Sequence, residues 1–316
     1  MVDVVVVGAG VSGLCVAWTL RERGYDVEVW SRDDPMATTS SVAGAIWYPF
    51  LAEPRARVLA WSAVTFRRLV GLAEVPGSGV RLTPVVEVFA NDAPDLWWAA
   101  AAGPIERLPA GAVPAPYRAA IRTVVPMCDV PVHLPWLVDQ LARRSVRVVQ
   151  RTLASFEAAF AAAPVVINCA GLGAASLCDD DSVRPVRGQV VLAEPKPGLT
   201  AWIDGTAAQP FYVIPRGDDV VLGGTAQVGE SDQQVRPADT RAILEGIGAR
   251  VPLLHDVAVR SIRVGLRPWR PTVRLEREDL PGGRCLVHDY GHGGSGWTLS
   301  WGCAAEVAAL VPLVTG

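Results

Sequence analysis

Two glycine-rich stretches hold the residues whose types and spacing could do chemistry. In the first, Gly8, Gly10 and Gly13 form G-x-G-x-x-G, with Ala9, Val11 and Ser12 between them. A strand-like run precedes this motif and a helix-like run follows it. The first glycine permits a tight turn, the second lets backbone approach a pyrophosphate, and the third lets helix and strand pack closely. The phosphate would sit at a helix N-terminus, where free N–H groups and the dipole favour negative charge. Asp33 lies about 20 residues beyond the third glycine, where a carboxylate commonly holds an adenosine ribose. Arg32 beside it could instead read a 2′-phosphate. Spacing alone leaves FAD, NAD and NADP open.

The second stretch is Asp289 to Gly302, "DYGHGGSGWTLSWG". Its histidine and glycines could form a metal site, a flexible end or a backbone cradle for an anion. His288 and His292 are close, but no acidic or cysteine partner shares their spacing. The six cysteines (Cys15, Cys128, Cys169, Cys178, Cys285, Cys303) are scattered without a Cys-x-x-Cys pair. Zinc spacing is therefore absent. They read as small buried apolar residues in a reducing compartment.

The elements around these residues suggest how they are positioned. Residues 2–7 are a near-continuous strand of valines broken by Asp3, the pattern of a parallel strand buried on both faces. "LCVAWTLRERG" has helical spacing, with Gly24 as its expected C-cap. "DVEVW" then completes a βαβ opening. Further apolar strands are expected at 163–173 and 284–291, the last ahead of the helix-like "SWGCAAEVAALVPLV". Segments 75–117 and 184–226 alternate apolar and polar residues, as antiparallel strands do. The expected fold class is α/β (α+β mixed). A Rossmann-type nucleotide domain would be built from residues 1–50, 134–190 and 271–316. A second domain with a large mixed or antiparallel sheet would take 51–133 and 191–270.

Bulk properties narrow the partners. The 29 basic and 32 acidic residues give a net charge of −3, which argues against nucleic acid or an anionic membrane surface. No clean run of about 18 apolar residues suggests a membrane span. No basic n-region precedes the first strand, so no signal peptide is expected and the expected compartment is the cytoplasm.

Five blocks carry a resemblance. They are "ATTSSVAGAIWYPF" (37–50), "VRGQVVL" (186–192), "FYVIPRGDDVVLGGTAQVG" (211–229), "VGLRPWRPTVRLERE" (264–278) and "LVHDYGHGGSGWTLSWGCAAEVA" (286–308). Together they resemble the D-amino-acid oxidase family of FAD enzymes, in order and over nearly the whole chain. The resemblance implies noncovalent FAD in the Rossmann-type domain. Thr38, Thr39, Ala45 and Ile46 match FAD-touching positions, and Leu153 matches the residue whose backbone meets the adenine. Gly293, Gly294 and Gly296 would bring backbone to the isoalloxazine. The helix starting near Trp297 would aim its N–H groups, with the Thr298 hydroxyl, at the flavin N1/C2=O locus. His292 would be structural.

The implied reaction moves the Cα hydrogen of a D-amino acid as hydride to flavin N5. Dioxygen reoxidises the flavin and gives hydrogen peroxide; the imino acid hydrolyses to a 2-oxo acid and ammonia. Arg267 matches the arginine that clamps the substrate carboxylate. Tyr212 matches the tyrosine that hydrogen-bonds the same carboxylate. Gly294 would offer its carbonyl to the substrate amine, and Trp47 is a candidate pocket residue. There are departures. Ala208 stands where vertebrate members have a tyrosine, and segment 194–211 is too short for their mobile lid. Ala226 replaces a tyrosine of yeast members and an arginine of relatives acting on D-aspartate. These changes favour neutral or apolar side chains, with Arg216 the other basic residue able to reach the site. The alternatives are a D-aspartate oxidase, a glycine or sarcosine oxidase-like enzyme, a nicotinamide-dependent reductase supported by Arg32, or a flavin-binding protein without activity. A homodimer is an open expectation.

Overall fold

The computed structural model describes residues 2–92, 94–109, 111–113, 115–206 and 210–312. Ala208 lies outside these described residues. The valine run forms β1 (Val4–Val7), every residue of it buried. Helix α1 (Val11–Glu22) follows directly, capped by Arg23, with Gly24 one residue further at φ +93°. The expected C-cap glycine is thus the residue just past the cap, in the left-handed conformation that favours glycine.

The strands continue with β2 (Val27–Ser31), β3 (Val80–Phe89), β4 (Ile105–Arg107), β5 (Ala119–Cys128), β6 (Arg147–Gln150) and β7 (Val165–Asn168). Then come β8 (Arg184–Ala193), β9 (Ala201–Asp204), β10 (Tyr212–Pro215), β11 (Val220–Gly223), β12 (Gln227–Val228), β13 (Val259–Leu280) and β14 (Arg284–His292). The remaining helices are α2 (Arg55–Ala73), α3 (Val130–Arg143), α4 (Glu157–Phe160), α5 (Ala174–Leu177), α6 (Pro237–Arg250) and α7 (Gly296–Leu310). No helix among the described residues is long and apolar enough to cross a membrane.

All 14 strands belong to one sheet, in the order β4–β5–β3–β9–β10–β11–β8–β13–β14–β7–β1–β2–β6, with β12 added on β8. From β14 to β6 every pairing is parallel. This is the valine-rich, two-side-buried half. From β13 back to β9 the pairings are antiparallel. Strand β13 joins the halves. Its first part pairs with β8 through Trp269, and its second part pairs with β14 from Arg274 onward. The divisions at 133/134, 190/191 and 270/271 each pass through one continuous element, α3, β8 and β13. The two halves therefore share elements.

Helices α1, α3 and α7 cover the parallel half, and α2 packs on α7 and on β3 and β5. Trp18 of α1 stacks on Trp136 of α3 at 5.6 Å and meets Trp301 of α7 edge-on at 5.7 Å. In α7, a Cβ on Gly302 would collide with the backbone of Trp61. That is why the long α2 can lie against α7.

Candidate active site

A cavity of about 920 Å³ runs between the two halves of the sheet. That is the size of a site for a large cofactor with a small molecule beside it. One end is built on the C-terminal ends of β1 and β2 and the start of α1. Gly8, Ala9, Gly10, Val11 and Ser12 line it. Gly13 does not. It packs beneath, where a Cβ would collide with the carbonyl of Gly8. The N–H of Val11 is already taken by the Ser40 hydroxyl at 2.9 Å. Those of Ser12 and Gly13 find no acceptor among the described residues. An anion at this helix start would have these N–H groups and the dipole.

Arg32 and Asp33 also line the cavity. Arg32 forks onto Asp33, with contacts at 3.2, 3.0 and 2.7 Å. This is an exposed ion pair, with the Arg32 side chain 70% and the Asp33 side chain 41% exposed, and it keeps both side chains at the cavity wall. Leu153 stands at the same end beside Arg151, which lies over the Trp30 ring at 4.1 Å. Arg151 was not singled out from the sequence, although it adjoins the Leu153 motif.

Thr38, Thr39, Ala45 and Ile46 line the middle of the cavity. Gly293, Gly294, Gly296, Trp297 and Thr298 line it from the start of α7. The glycines have a reason within the chain itself. A Cβ on Gly293 would collide with the carbonyl of Leu51, and one on Gly294 with the Phe50 ring. They let the 291–296 loop lie against residues 50 and 51, and both segments then edge the cavity. The Thr298 hydroxyl donates to the Tyr48 carbonyl at 3.0 Å and accepts from the Tyr48 N–H at 3.1 Å. Its proton is committed, so what the start of α7 offers an anion is backbone N–H.

Arg267 and Tyr212 line the other end. Arg267 donates from Nη1 to the Thr225 carbonyl at 2.9 Å. It also meets the Tyr212 phenol, and among the described residues it has no carboxylate partner, so its charge at the cavity is uncompensated. Its guanidinium lies against Gly188, where any Cβ would collide with it. Tyr212 lies across Gly223 of the paired strand in the same way. Burial pushes the Tyr212 phenol up, and the charge and hydrogen bonding of Arg267 pull it back. Tyr212 therefore stays a neutral donor at ordinary pH.

Other expectations are corrected. Trp47 is a core residue, 1% exposed, donating to the Ser62 carbonyl at 3.0 Å and packed edge-on to Phe66 and Trp98. Arg216 does not line the cavity. It is buried and doubly bonded to Asp219, at 2.7 Å each. It is therefore not free to meet an acidic substrate. His292 has a partner that spacing did not show: its Nε2 is 3.0 Å from Asp289 Oδ1. Cys303 comes within 4.8 Å of the same pair. Burial pushes the Cys303 thiol well up, so it stays protonated and is a poor metal ligand. Tyr48, Phe50, Asp204 and Gln233 also face the cavity without having been anticipated.

Residues 3–310 match the family described as FAD dependent oxidoreductase. The chain belongs to the FAD-dependent oxidoreductase family. Its cofactor is FAD, and the nicotinamide alternative is set aside. The chain is 46% identical over 309 residues to the D-amino-acid oxidase of Rubrobacter xylanophilus, covering 97% of this chain and 94% of that one. It is 42% identical to the D-amino-acid oxidase of Streptomyces coelicolor, covering 98% and 96%. Among solved structures it is similar to glycine oxidase from Geobacillus kaustophilus, with TM-score 0.82 at 20% identity, covering 98% and 94%. That likeness shows the family fold, with its mixed sheet and helices.

The cavity of this family member fits FAD. Two helix starts, α1 and α7, open onto one continuous space, and glycine lets the turn backbone edge it: a Cβ on Gly8 would collide with the Cys169 carbonyl and one on Gly10 would crowd the Ser40 hydroxyl.

Proposed function

We propose that the protein is a D-amino-acid oxidase. It converts D-amino acids with neutral or apolar side chains and dioxygen to 2-oxo acids, ammonia and hydrogen peroxide, a catabolic reaction. The observation that carries this reading is the Arg267 guanidinium, beside the Tyr212 phenol, facing the cavity without a carboxylate partner among the described residues. The names of the two relatives at 46% and 42% identity support it.

In this reading Arg267 receives the substrate carboxylate through two parallel N–H···O bonds, and the Tyr212 hydroxyl donates to the same group. The Gly294 carbonyl accepts from the amine. Three points of attachment fix which face of Cα is presented, and that selects the enantiomer. The amine lone pair drives the departure of the Cα hydride, so these residues orient the substrate and need not abstract a proton. Bound FAD supplies the hydride acceptor. The N–H groups at the start of α1 would hold its pyrophosphate, Asp33 its ribose, and the Leu153 backbone its adenine. Thr38, Thr39, Ala45, Ile46 and Gly293 would hold its ring, and the N–H groups of Gly296, Trp297 and Thr298 would stabilise negative charge there. The side-chain end is lined by Phe50, Ile203 and Ile214, which favours apolar substrates. The six unpaired cysteines support a place in the reducing cytoplasm.

The test is peroxide release by the purified holoprotein across D- and L-amino acids, glycine, sarcosine and D-aspartate. The proposal expects turnover with neutral and apolar D-amino acids and little with their L-enantiomers or D-aspartate. Preference for glycine, sarcosine or any L-amino acid would overturn it.

A further inference from the structure

Glu87 is a buried carboxyl that the reaction above does not use. It lies on β3, opposite Ile121 of β5 and Ile203 of β9, and is 3% exposed. Its Oε1 accepts from the Tyr48 hydroxyl at 2.6 Å. Tyr48 is held at its other end by Thr298, which pairs with both its N–H and its carbonyl. Its ring meets Trp98 edge-on at 5.8 Å. Tyr48 is therefore a strut between the start of α7 and β3, and it lines the cavity.

Gly205 lines the cavity too, and a Cβ there would collide with Glu87 Oε1. No side chain of residue 205 stands between that oxygen and the cavity wall. Beside the carboxyl lies a void of about 10 Å³, bordered by Tyr48, Trp98 and Thr123. This is about the size of one water.

The proton on this pair decides what the wall offers. With Glu87 ionised, the Tyr48 hydroxyl must donate inward to the carboxylate; Trp98 donates to one lone pair of its oxygen, and the other, with a negative charge behind it, is what the wall can offer. With Glu87 protonated, the carboxyl can donate to the Tyr48 oxygen, and the phenol proton is free to point into the cavity.

We propose that Glu87, acting through the Tyr48 hydroxyl, switches the side-chain pocket from hydrogen-bond donor to acceptor as pH rises. It thereby shifts preference from uncharged toward cationic D-amino acid side chains. Glu87 is a positioning residue in this account, which rests on the oxidase reading above.

The surroundings place the switch in an accessible range. Burial pushes the Glu87 carboxyl up, the Tyr48 hydrogen bond pulls it back, and the Asp204 charge adds to the rise, leaving it at about 7. The groups facing it are Tyr48, Trp98, Thr123 from β5 and Asp204 from β9. Of these, Asp204 alone is charged at neutral pH. Burial raises its carboxyl, but bonds from Tyr117, Thr206 and Arg250 outweigh that and hold it low. Its charge is constant while Glu87 titrates. The Tyr48 phenol is pushed well up by burial and by Glu87, so it keeps its proton.

D-lysine and D-norleucine differ in this respect only by the terminal ammonium. The kcat/KM ratio of D-lysine to D-norleucine, followed from about pH 5.5 to about pH 8, cancels the chemistry common to both. The two α-amines titrate alike over this range, so their deprotonation cancels in the ratio. The ratio should rise roughly two- to fivefold in the wild type, the range of a partly screened charge interaction. It should be flat in Glu87→Gln and in Tyr48→Phe. A flat wild-type ratio, or a rise surviving in either variant, would overturn the proposal.

Infrared titration of the holoprotein follows the carboxyl independently of turnover. A buried protonated carboxyl band should vanish around pH 7 in the wild type and be missing from Glu87→Gln. No such band overturns the switch whether or not the variants fold. If no D-amino acid is oxidised, the oxidase reading fails while the band still judges Glu87.

Discussion

At the scale of single residues, Arg267 carries the proposed chemistry. Its fork meets the Thr225 carbonyl and the Tyr212 phenol, has no carboxylate partner among the described residues, and lines the cavity. Replacing it by alanine removes the positive partner of the substrate carboxylate. One charge-assisted hydrogen bond is worth about 1.5–3 kcal/mol, so kcat/KM should fall by at least roughly 10- to 150-fold. The flavin spectrum of purified Arg267→Ala should persist, because the FAD end of the cavity is built from other residues. Tyr212→Phe should cost less, mainly in KM. Steady-state kinetics on both variants checks this; unchanged efficiency in Arg267→Ala would remove that residue from the site. Both side chains were legible in the sequence because they sit in family-specific blocks. Glu87 was not, although alternation contains it: Val85, Glu87 and Phe89 share one buried face of β3. A carboxylate at a core position reads as a surface residue until its partner, Tyr48, is brought to it from 39 residues away.

At the scale of elements, the parallel half was readable and the long connecting strand was not. Strands β1, β2, β7 and β14 are valine- or apolar-rich runs bounded by glycine, and α1 and α7 begin where glycine clusters end. These are local signals. Strand β13 hides behind Pro268 and Pro271, which argue against a central strand. Pro271 falls in the register shift between Trp269 and Arg274, where the strand leaves β8 and takes β14 as partner; Pro268 lies just before it, opposite Pro185 of β8. No local pattern announces a strand that changes partners midway. Helices α2, α3 and α6 were also missed. Helix α2 mixes Trp61, Ser62 and Thr65 on its buried side, and α3 contains Pro135. Their helical state is enforced by packing on α7 and on the sheet.

At the scale of the whole molecule, two buried groups make stability depend on pH with opposite signs. Glu87 is held at about 7 against an ordinary 4.5, so between those values the folded chain keeps a proton that the unfolded chain has lost. Its contribution falls as pH rises through that window. His133 is pushed by burial from 6.5 to about 4, so there the unfolded chain takes the proton first and stability falls as pH drops. Glu87→Gln removes the first effect and leaves the second. Relative to the wild type, it should gain up to about 3 kcal/mol between about pH 4.5 and about pH 8, since each tenfold change in proton affinity on folding is worth roughly 1.4 kcal/mol. Thermal unfolding of both proteins across that range measures the gain; a constant difference in Tm would mean the carboxyl is not held protonated by the fold. The two domains anticipated from the sequence share one continuous sheet, and the cavity lies where its parallel and antiparallel halves meet.

The central claim is that this cavity holds FAD and an Arg267-bound D-amino acid together, with Cα presented to the flavin. Mixing the purified yellow protein anaerobically with D-norleucine and, separately, with its L-enantiomer tests it in one turnover. The flavin absorbance should bleach with the D-enantiomer and return when air is admitted, while the L-enantiomer leaves it unchanged. Bleaching by the L-enantiomer, or by no D-amino acid at all, would contradict the account.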